Sequence, residues 1–330
     1  LEIKIFKIFS KDATKNLLFD LSIRLIPVDA RNQRPVNREF VLHITSCSQL
    51  EKLDMKHTIL SMTLIFLTNL LLGQELPEKI SETDFSIGKT VNIKSKVLDE
   101  TRELNIYLPS SYSADSSKTY PVIYLLDGSR NEDFIHISGI VQFGSFSWIN
   151  MIPESIVVGI GNVDRKRDFT YPSKNELDQK EFPTSGQSEK FISFLKNELQ
   201  PFIDSTYRTA GIKTIIGQSL GGLLVTEILF EKPELFDNFI IVSPSLWWDD
   251  EKLMDRQPKP YDSTKSIFIA GGKEGEVMER TAKELFDKLE KNKKQNTNLF
   301  YEFLKDKTHG DALHVAVYNA FEKIFKSNKE

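Results

Sequence analysis

A serine set between two glycines is the first candidate for chemistry in this chain. Ser219 lies in the stretch TIIGQSLGGLLVTEILF, with Gly217 and Gly221 two positions to either side. A short apolar run precedes this G-x-S-x-G pattern and a helical pattern follows it, as in a nucleophile elbow that exposes a serine hydroxyl above a sheet. A tight turn whose glycines only relieve crowding is the alternative. The strand–turn–helix context favours a nucleophile, and Gly222 adds room for close helix–strand packing.

The second candidate is a histidine, because a serine hydroxyl is a poor nucleophile until a base removes its proton. After residue 73 the chain contains three histidines, His136, His309 and His314. In the chain order of α/β-type hydrolases the base follows the final strand, and His309 in KTHGD occupies that position. The other two fall within helical patterns and are expected to be structural. We therefore expect the Ser219 oxygen to lie within hydrogen-bonding reach of His309.

An acid must hold the histidine ring in one tautomer and stabilise the imidazolium. The loop GGKEGE, after a predicted strand, supplies Glu274 and Glu276. Glu274 is nearer the strand end and is the preferred acid, with Glu276 as the alternative. Either residue also suits the first turn of the following helix, where the helix dipole favours a negative charge. Asp249 and Asp250 are more distant candidates, and a serine–histidine dyad is a further possibility.

The developing oxyanion of such a reaction requires backbone N–H donors. One is predicted to be the N–H of Leu220, the residue after the nucleophile. The other is expected from the loop after the strand VIYLLDG, at Ser129 or Gly128. Asp127 in the same loop cannot donate while ionised, and its side chain is expected to brace the loop.

These residues require a sheet that brings distant segments to one edge. Apolar runs alternate with helical patterns, which predicts an α/β fold: a mainly parallel central sheet with an antiparallel N-terminal edge and helices on both faces. In such sheets, sites form at the carboxyl ends of the strands. The predicted strands are 90–98, 102–109, 120–128, 155–162, the run beginning at 214, 236–245, 266–272 and 298–306, and the main predicted helices are 188–207, 275–292 and 311–326. Polar residues follow these strands at Asp127, Asn162, Ser219, Ser243, Glu274 and His309.

The first 73 residues differ from the rest of the chain. Met55 and Lys56 precede a mostly apolar run, Ile59 to Leu72, and Gly73 follows it, which is the layout of a secretory signal peptide. We therefore predict an upstream, disordered extension at 1–54, a signal peptide at 55–73, and one catalytic domain at 74–330. The single cysteine, Cys47, falls in the extension. The mature protein is expected to be exported, to the periplasm or beyond the cell, and to keep no stable membrane anchor after cleavage.

Composition narrows the classes of partner. The 330-residue chain has a formal net charge of −4 and no long basic run, which argues against nucleic acid as a partner. No group of histidines, cysteines and carboxylates has the spacing of metal ligands, so neither a metal nor an organic cofactor is expected.

Ordered blocks along the chain resemble a known family. YPVIYLLDG, NVDRKRDFT, IIGQSLGGLLV, SPSLWW and THGD resemble the "Putative esterase" (esterase D-like) family of α/β-hydrolases, particularly its secreted bacterial branch of siderophore (enterobactin) esterases. This chain has Gln218 where family members have a histidine. The resemblance implies hydrolysis of a carboxylic ester, either a small molecule or one linked to a glycan. By this resemblance, the family's nucleophile corresponds to Ser219, its base to His309 and, less directly, its acid to Glu274.

Two aromatic and two basic residues are candidates for the substrate pocket. Trp248 and Arg165 are the candidate substrate-binding residues, and Trp247 and Arg167 are weighed beside them. The alternative interpretation places the tryptophans in the core and pairs the arginines with Asp164 and Asp168, and it is the favoured one for Trp247 and for the arginines.

The leading hypothesis is a serine esterase that works through an acyl-enzyme. An acyltransferase acting on a sugar or another alcohol would use the same residues. A non-catalytic secreted binding module on the hydrolase scaffold is a third hypothesis, against which the intact serine, histidine and glycines count.

Overall fold

The computed structural model describes the backbone of residues 21–25, 38–42, 54–71 and 77–326, and the side chains of 57–68 and 77–326. The chain divides into two compact units, Leu1–Thr83 and Asp84–Glu330.

The first unit contains three described elements. Strands β1 (Leu21–Leu25) and β2 (Arg38–Leu42) pair antiparallel, and helix α1 spans Asp54–Leu71. The predicted upstream extension therefore includes a strand pair, and the rest of it, with Cys47, lies outside the described residues. The proposed cleavage position at Gly73 also lies outside them, so the domain boundaries stay predictions. None of the described helices is long and apolar enough to cross a membrane.

The second unit is built on an eight-stranded sheet in the order β10-β9-β8-β7-β5-β6-β4-β3. Only the β3–β4 and β4–β6 pairs are antiparallel; all other neighbours run parallel. The strands are β3 (Lys89–Ser95), β4 (Glu100–Tyr107), β5 (Tyr120–Leu125), β6 (Ile156–Ile160), β7 (Thr209–Gln218), β8 (Asn238–Val242), β9 (Lys265–Gly272) and β10 (Thr297–Leu304). The predicted parallel sheet with an antiparallel N-terminal edge is confirmed.

Helices cover both faces of this sheet. They are α2 (Ser111–Ala114), α3 (Phe134–Gly144), α4 (Arg165–Phe169), α5 (Glu176–Glu181), α6 (Ser188–Phe194), α7 (Gln200–Thr206), α8 (Leu220–Glu231), α9 (Trp248–Asp255), α10 (Glu276–Lys291) and α11 (Ala312–Phe321). One π-helical turn, Leu195–Leu199, joins α6 to α7, so the predicted helix 188–207 is almost continuous.

The sheet has two hydrophobic layers, one on each face. Residues of α3 and α11 pack on one face against Ile123, Leu125 and Ile216. Residues of α6, α7, α8 and α10 pack on the other face against Tyr124 and Ile215. The alternation of side chains along each strand sends neighbours such as Ile215 and Ile216 to opposite layers. This burial on both faces explains the continuous apolar runs of the central strands.

Helix α9 contains a left-handed segment. Asp249, Asp250 and Glu251 have φ values of 52°, 51° and 63°, so the chain makes a left-handed turn after two tryptophans. Aspartate tolerates this region better than most residues because its short side chain bonds locally. The Asp249 carboxylate accepts from Lys174 N–H at 2.6 Å, and the Arg280 guanidinium binds Glu251. The local sequence does not predict tertiary contacts of this kind.

A buried carboxyl lies in α8, away from the residues predicted to be catalytic. Glu227 is only 6% exposed, and its Oε2 atom has no hydrogen-bond partner in the described part of the chain. Burial raises the pKa of Glu227 to about 7, with Ser188 and Arg256 opposing that rise. The folded protein therefore holds a proton that the unfolded chain has already released between about pH 4.5 and pH 7.

This carboxyl predicts a specific dependence of stability on pH. Because folding raises the pKa of Glu227, its contribution to stability is present below the unfolded value and is lost as pH rises towards 7. Relative to Glu227→Gln, the wild-type free energy of unfolding should fall by ~3 kcal/mol between pH 4.5 and pH 8. Urea denaturation across this range measures the difference. Glu181→Gln, which neutralises an exposed carboxyl, is the control. Parallel pH profiles for wild type and Glu227→Gln would contradict the prediction.

Candidate active site

The turn from β7 into α8 places Ser219 at the carboxyl edge of the sheet. Its backbone has φ 60° and ψ −121°, a conformation that costs a non-glycine residue of order 1–3 kcal/mol. Ser219 N–H donates to Val242 O at 3.1 Å, and Ser219 O accepts from the N–H groups of Leu223 and Ser245. These bonds to β8, α8 and the loop after β8 hold the strained turn in place. The geometry is that of a nucleophile elbow.

Two glycines near Ser219, Gly217 and Gly222, are required by close contacts. A Cβ atom on Gly217 would lie 2.4 Å from the carbonyl oxygen of Gly221, so no side chain fits there. A Cβ on Gly222 would lie 2.9 Å from Pro244 Cα, because α8 packs closely on the loop after β8. At Gly221 the nearest atom would be Asp127 Oδ2 at 3.4 Å, which is a milder constraint.

The predicted base and acid are in direct contact. His309 follows β10, Glu274 follows β9, and His309 Nδ1 lies 2.6 Å from Glu274 Oε2. The alternative acid, Glu276, is the first residue of α10 and is exposed, with no bond to His309. Asp249 and Asp250 instead bond to the segment containing Ser173, Lys174 and Asn175.

The environment of Glu274 keeps the carboxyl ionised. Its side chain is 2% exposed, and this burial by itself disfavours the charge. Hydrogen bonds from His309, the Ser243 hydroxyl and the Gly272 N–H outweigh burial, and the pKa of Glu274 lies below its ordinary value. Glu274 is therefore negative at neutral pH and accepts a hydrogen bond from the His309 ring.

The Glu274 contact determines which ring nitrogen of His309 is left to accept a proton. With Nδ1–H donating to the carboxylate, Nε2 is the nitrogen of the neutral ring that can accept a proton. The Ser219 hydroxyl itself lies 3.3 Å from the Ser245 hydroxyl, its one recorded side-chain bond within residues 77–326. The expected contact between Ser219 and His309 is thus not formed in this conformation. Catalytic bonds often tighten only when substrate is bound.

Ser219, Glu274 and His309 line one cavity of about 530 Å³. Its other walls are Ser245, Trp247, Lys273, Met278 and Thr308. The His309 side chain is 47% exposed, so water reaches the base. The cavity therefore combines a serine, a carboxylate-bound histidine and access for an ester.

The start of α8 supplies candidate oxyanion donors. Leu220 and Gly221 are the first two residues of the helix, where backbone N–H groups have no intrahelical acceptor. Gly128 does not supply the second donor, because its N–H is bound to Ile160 O at 3.0 Å. The N–H of Ser129 has no acceptor among the described residues, so of the two predicted residues Ser129 is the one that can donate.

Arg165 has a different role from the predicted one. Its guanidinium binds both carboxylate oxygens of Asp127, at 2.6 and 3.0 Å, and donates to Gln218 O at 3.1 Å. Asn162 also donates to Asp127. Arg165 therefore braces the loop before Ser129 and the residue before the nucleophile, and its charge is already neutralised. Gln218 in turn donates from its side chain to the His309 carbonyl, which ties the elbow to the histidine loop.

The two tryptophans occupy the reverse of the predicted places. Trp248 is fully buried, and its indole N–H donates to Tyr171 O at 2.9 Å, so it does not line the pocket. Trp247 is half-buried and lines the pocket beside Ser219. The left-handed turn that follows decides which ring faces inward, and the sequence carries no signal for it. Ser245 and Lys273, absent from the predicted site, follow β8 and β9 at the same sheet edge.

The remaining histidines lie together elsewhere. The rings of His136 and His314 stack with centroids 3.7 Å apart, and His314 Nε2 lies 3.1 Å from Asp133 Oδ1. These contacts join α3 to α11, as expected of structural histidines. In the described part of the chain, no group of His, Cys, Asp and Glu residues is arranged to hold a metal ion.

Comparison with known proteins places the chain among esterases. The family model described as "Putative esterase" matches residues 95–322. The chain is 29% identical over 214 residues to the ferri-bacillibactin esterase BesA of Bacillus subtilis, covering 58% of this chain and 74% of the relative. It is 27% identical over 123 residues to the siderophore triacetylfusarinine C esterase of Aspergillus fumigatus, covering 34% of this chain and 42% of that one.

Solved structures show the same fold. An IroE-like serine hydrolase from Shewanella oneidensis superimposes with a TM-score of 0.65 and 29% identity, over 72% of this chain and 80% of that one. The BES protein from Bacillus cereus gives a TM-score of 0.66 and 25% identity, over 76% and 99%. The α/β-hydrolase fold predicted from the sequence is confirmed.

The contact between Glu274 and His309 yields a prediction. Glu274→Gln should lower kcat by about 100-fold or more, because an amide can hold the wrong tautomer of the ring and does not stabilise the imidazolium. Glu276→Gln is the matched control and should change kcat less than about twofold, since Glu276 is exposed and unbonded to the histidine. Steady-state hydrolysis of 4-nitrophenyl butyrate measures both. Equal losses in the two variants would show that Glu274 is not the acid.

Proposed function

The chain belongs to the "Putative esterase" family and is a carboxylic ester hydrolase, and we propose that it acts as a serine esterase through Ser219, His309 and Glu274. The observation that carries the proposal is the 2.6 Å contact between the buried Glu274 carboxylate and His309, in the same cavity as the strained Ser219. A simple turn would need neither the buried acid nor the oriented base.

In the first half-reaction, Ser219 Oγ attacks the ester carbonyl carbon while His309 Nε2 takes its proton. The carbonyl π electrons move to oxygen, and the oxyanion is stabilised by the N–H of Leu220 with a second donor at Ser129. Collapse of this intermediate breaks the bond to the alcohol oxygen, which leaves with the proton from His309. The acyl group is then esterified to Ser219.

In the second half-reaction, water enters through the exposed side of His309 and loses a proton to Nε2. The hydroxide equivalent attacks the acyl carbon, and the second oxyanion occupies the same donors. Its collapse releases a carboxylic acid and returns the proton to Ser219. Glu274 stays ionised throughout and stabilises the imidazolium each time it forms.

Siderophore-type esters are the proposed substrates. Support comes from the names of the similar proteins: BesA is a ferri-bacillibactin esterase, and the Aspergillus relative is a siderophore esterase. The cavity of about 530 Å³ is open and holds an aromatic wall, Trp247, which suits one arm of a larger ester.

Ser219→Ala tests the nucleophile. The variant should hydrolyse 4-nitrophenyl butyrate and the triester siderophore enterobactin at least about 1,000-fold more slowly than wild type, because the attacking oxygen is lost. Initial rates by absorbance and by chromatography measure the two substrates. Wild type mixed with 4-nitrophenyl butyrate and quenched early should also gain the mass of one butyryl group on the peptide containing Ser219.

Ser245→Ala is the control for this experiment, because Ser245 lies 3.3 Å from the nucleophile and is the other serine of the cavity. It should retain the butyryl adduct on Ser219. An adduct on Ser245, or full activity in Ser219→Ala, would contradict the assignment of the nucleophile.

Export of the protein is part of the proposal. The helix Asp54–Leu71 and the basic start at Met55 and Lys56 are the observations that support a signal peptide.

Removal of the signal predicts a new N-terminus near Gln74 in the exported protein. Intact-mass and N-terminal peptide measurements on the periplasmic or medium fraction of a secreting bacterial host test this. Replacing Leu64 and Phe66 by arginine should retain the protein inside the cell, because charges in the apolar core block recognition as a signal. Peptides from residues 1–54 in the exported fraction would contradict a signal peptide that begins at Met55.

A further inference from the structure

The cavity at Ser219 is lined by a lysine, Lys273, that has no ion pair among the described residues. Lys273 lines the cavity directly before Glu274, in the loop after β9. Its backbone N–H donates to Lys307 O at 2.6 Å, so the residue is fixed to the loop that carries His309. The residue is exposed and lines the same cavity as Ser219.

Two other cations near the site, Arg165 and Lys307, are already neutralised. Arg165 binds Asp127 with both carboxylate oxygens, and Lys307 lies 3.4 Å from Asp311. Among residues 77–326, no carboxylate lies within ion-pair distance of the Lys273 ammonium. Glu274, which adjoins it in sequence, is occupied by His309, Ser243 and the Gly272 N–H.

An aromatic wall accompanies this cation. Trp247 is half-buried, and its ring is held by Phe182 and Trp248, each with a centroid separation of 6.1 Å. A fixed indole offers a flat apolar surface at little entropic cost. A cation and a flat surface in one cavity favour a ligand that has a planar or apolar body and a negative charge.

We propose that Lys273 is a specificity-determining residue that selects esters carrying a negative charge near the scissile bond, with Trp247 contacting the body of the same group. The inference rests on the proposed role of Ser219 as the nucleophile. It adds the chemical class of substrate: an ester whose acyl or alcohol part bears a carboxylate or a comparably acidic oxygen. The Lys273 ammonium pairs with that anion while Ser219 attacks.

The test compares anionic and neutral esters of matched shape. On the alcohol side, 3-acetoxybenzoate is paired with 3-acetoxybenzamide. On the acyl side, 4-nitrophenyl hydrogen adipate is paired with 4-nitrophenyl hexanoate. The quantity measured is the ratio of kcat/KM for the anionic ester to that for the neutral ester, at low ionic strength.

In Lys273→Gln this ratio should fall about fivefold for at least one pair, the size of one partly exposed ion pair. Lys273→Glu should lower it further through repulsion, and Lys273→Arg should keep it. Added salt at about 0.5 M should lower the wild-type ratio towards that of Lys273→Gln, because exposed charges are then screened. The fall in the ratio should come from a lower kcat/KM for the anionic ester, since a neutral ester has no charge to pair with the ammonium.

Lys305→Gln is the matched control. Lys305 is exposed, has no ion pair among the described residues and follows β10, but does not line the cavity. This variant changes the net charge equally and should leave both ratios unchanged.

Two results would overturn the inference while leaving the esterase intact: unchanged ratios for both pairs in Lys273→Gln, or equal changes in Lys305→Gln. Failure of wild type to hydrolyse any of the four esters would instead overturn the proposed function, and the inference would fall with it.

Discussion

The strained backbone of Ser219 is the constraint on which the rest of the site depends. A φ of 60° at a serine is costly, and this conformation holds only because β8, α8 and the loop after β8 bond to the same residue. Gly217 and Gly222 are the consequence, since any Cβ there would overlap backbone atoms. As a result, the Ser219 hydroxyl lies above the sheet edge, next to N–H groups at the start of α8 that have no intrahelical acceptor.

The second requirement is that the Glu274 carboxylate stays ionised although it is buried. Glu274 is almost fully buried, and burial would protonate it if nothing opposed it. Three donors, from β9, from the residue after β8 and from His309, hold it ionised. The Glu274 carboxylate is thus bound by three segments at once, whereas its neighbour Glu276 is exposed and has no bond to His309. Electrostatics at this site is a property of the assembled sheet edge and not of one loop.

The network around Arg165 extends the same principle to the other side of the nucleophile. Arg165 joins Asp127, at the end of β5, to Gln218, at the end of β7, and Gln218 reaches the loop of His309. A buried pair, Arg102 with Asp168, anchors the segment from which Arg165 projects. Arg165 is thus paired with a carboxylate, whereas Lys273 has no ion pair among the described residues, and the proposed preference for anionic esters rests on this difference.

The sequence by itself determined the order of the elements and the residues at the strand ends. Apolar runs that alternate with helical patterns predict a mainly parallel sheet, and the carboxyl ends of its strands bring Ser219, Glu274 and His309 to one edge. Only the tertiary structure decided what those side chains touch. It placed Trp247 and not Trp248 at the cavity, bound Gly128 N–H to Ile160, paired Arg165 with Asp127 and turned Ser219 towards Ser245. The physical reason is the separation of the partners along the chain. Periodicity reports which face of an element is buried, whereas the hydrogen bonds and ion pairs at the sheet edge join distant residues, such as Gln218 and His309, which are 91 positions apart.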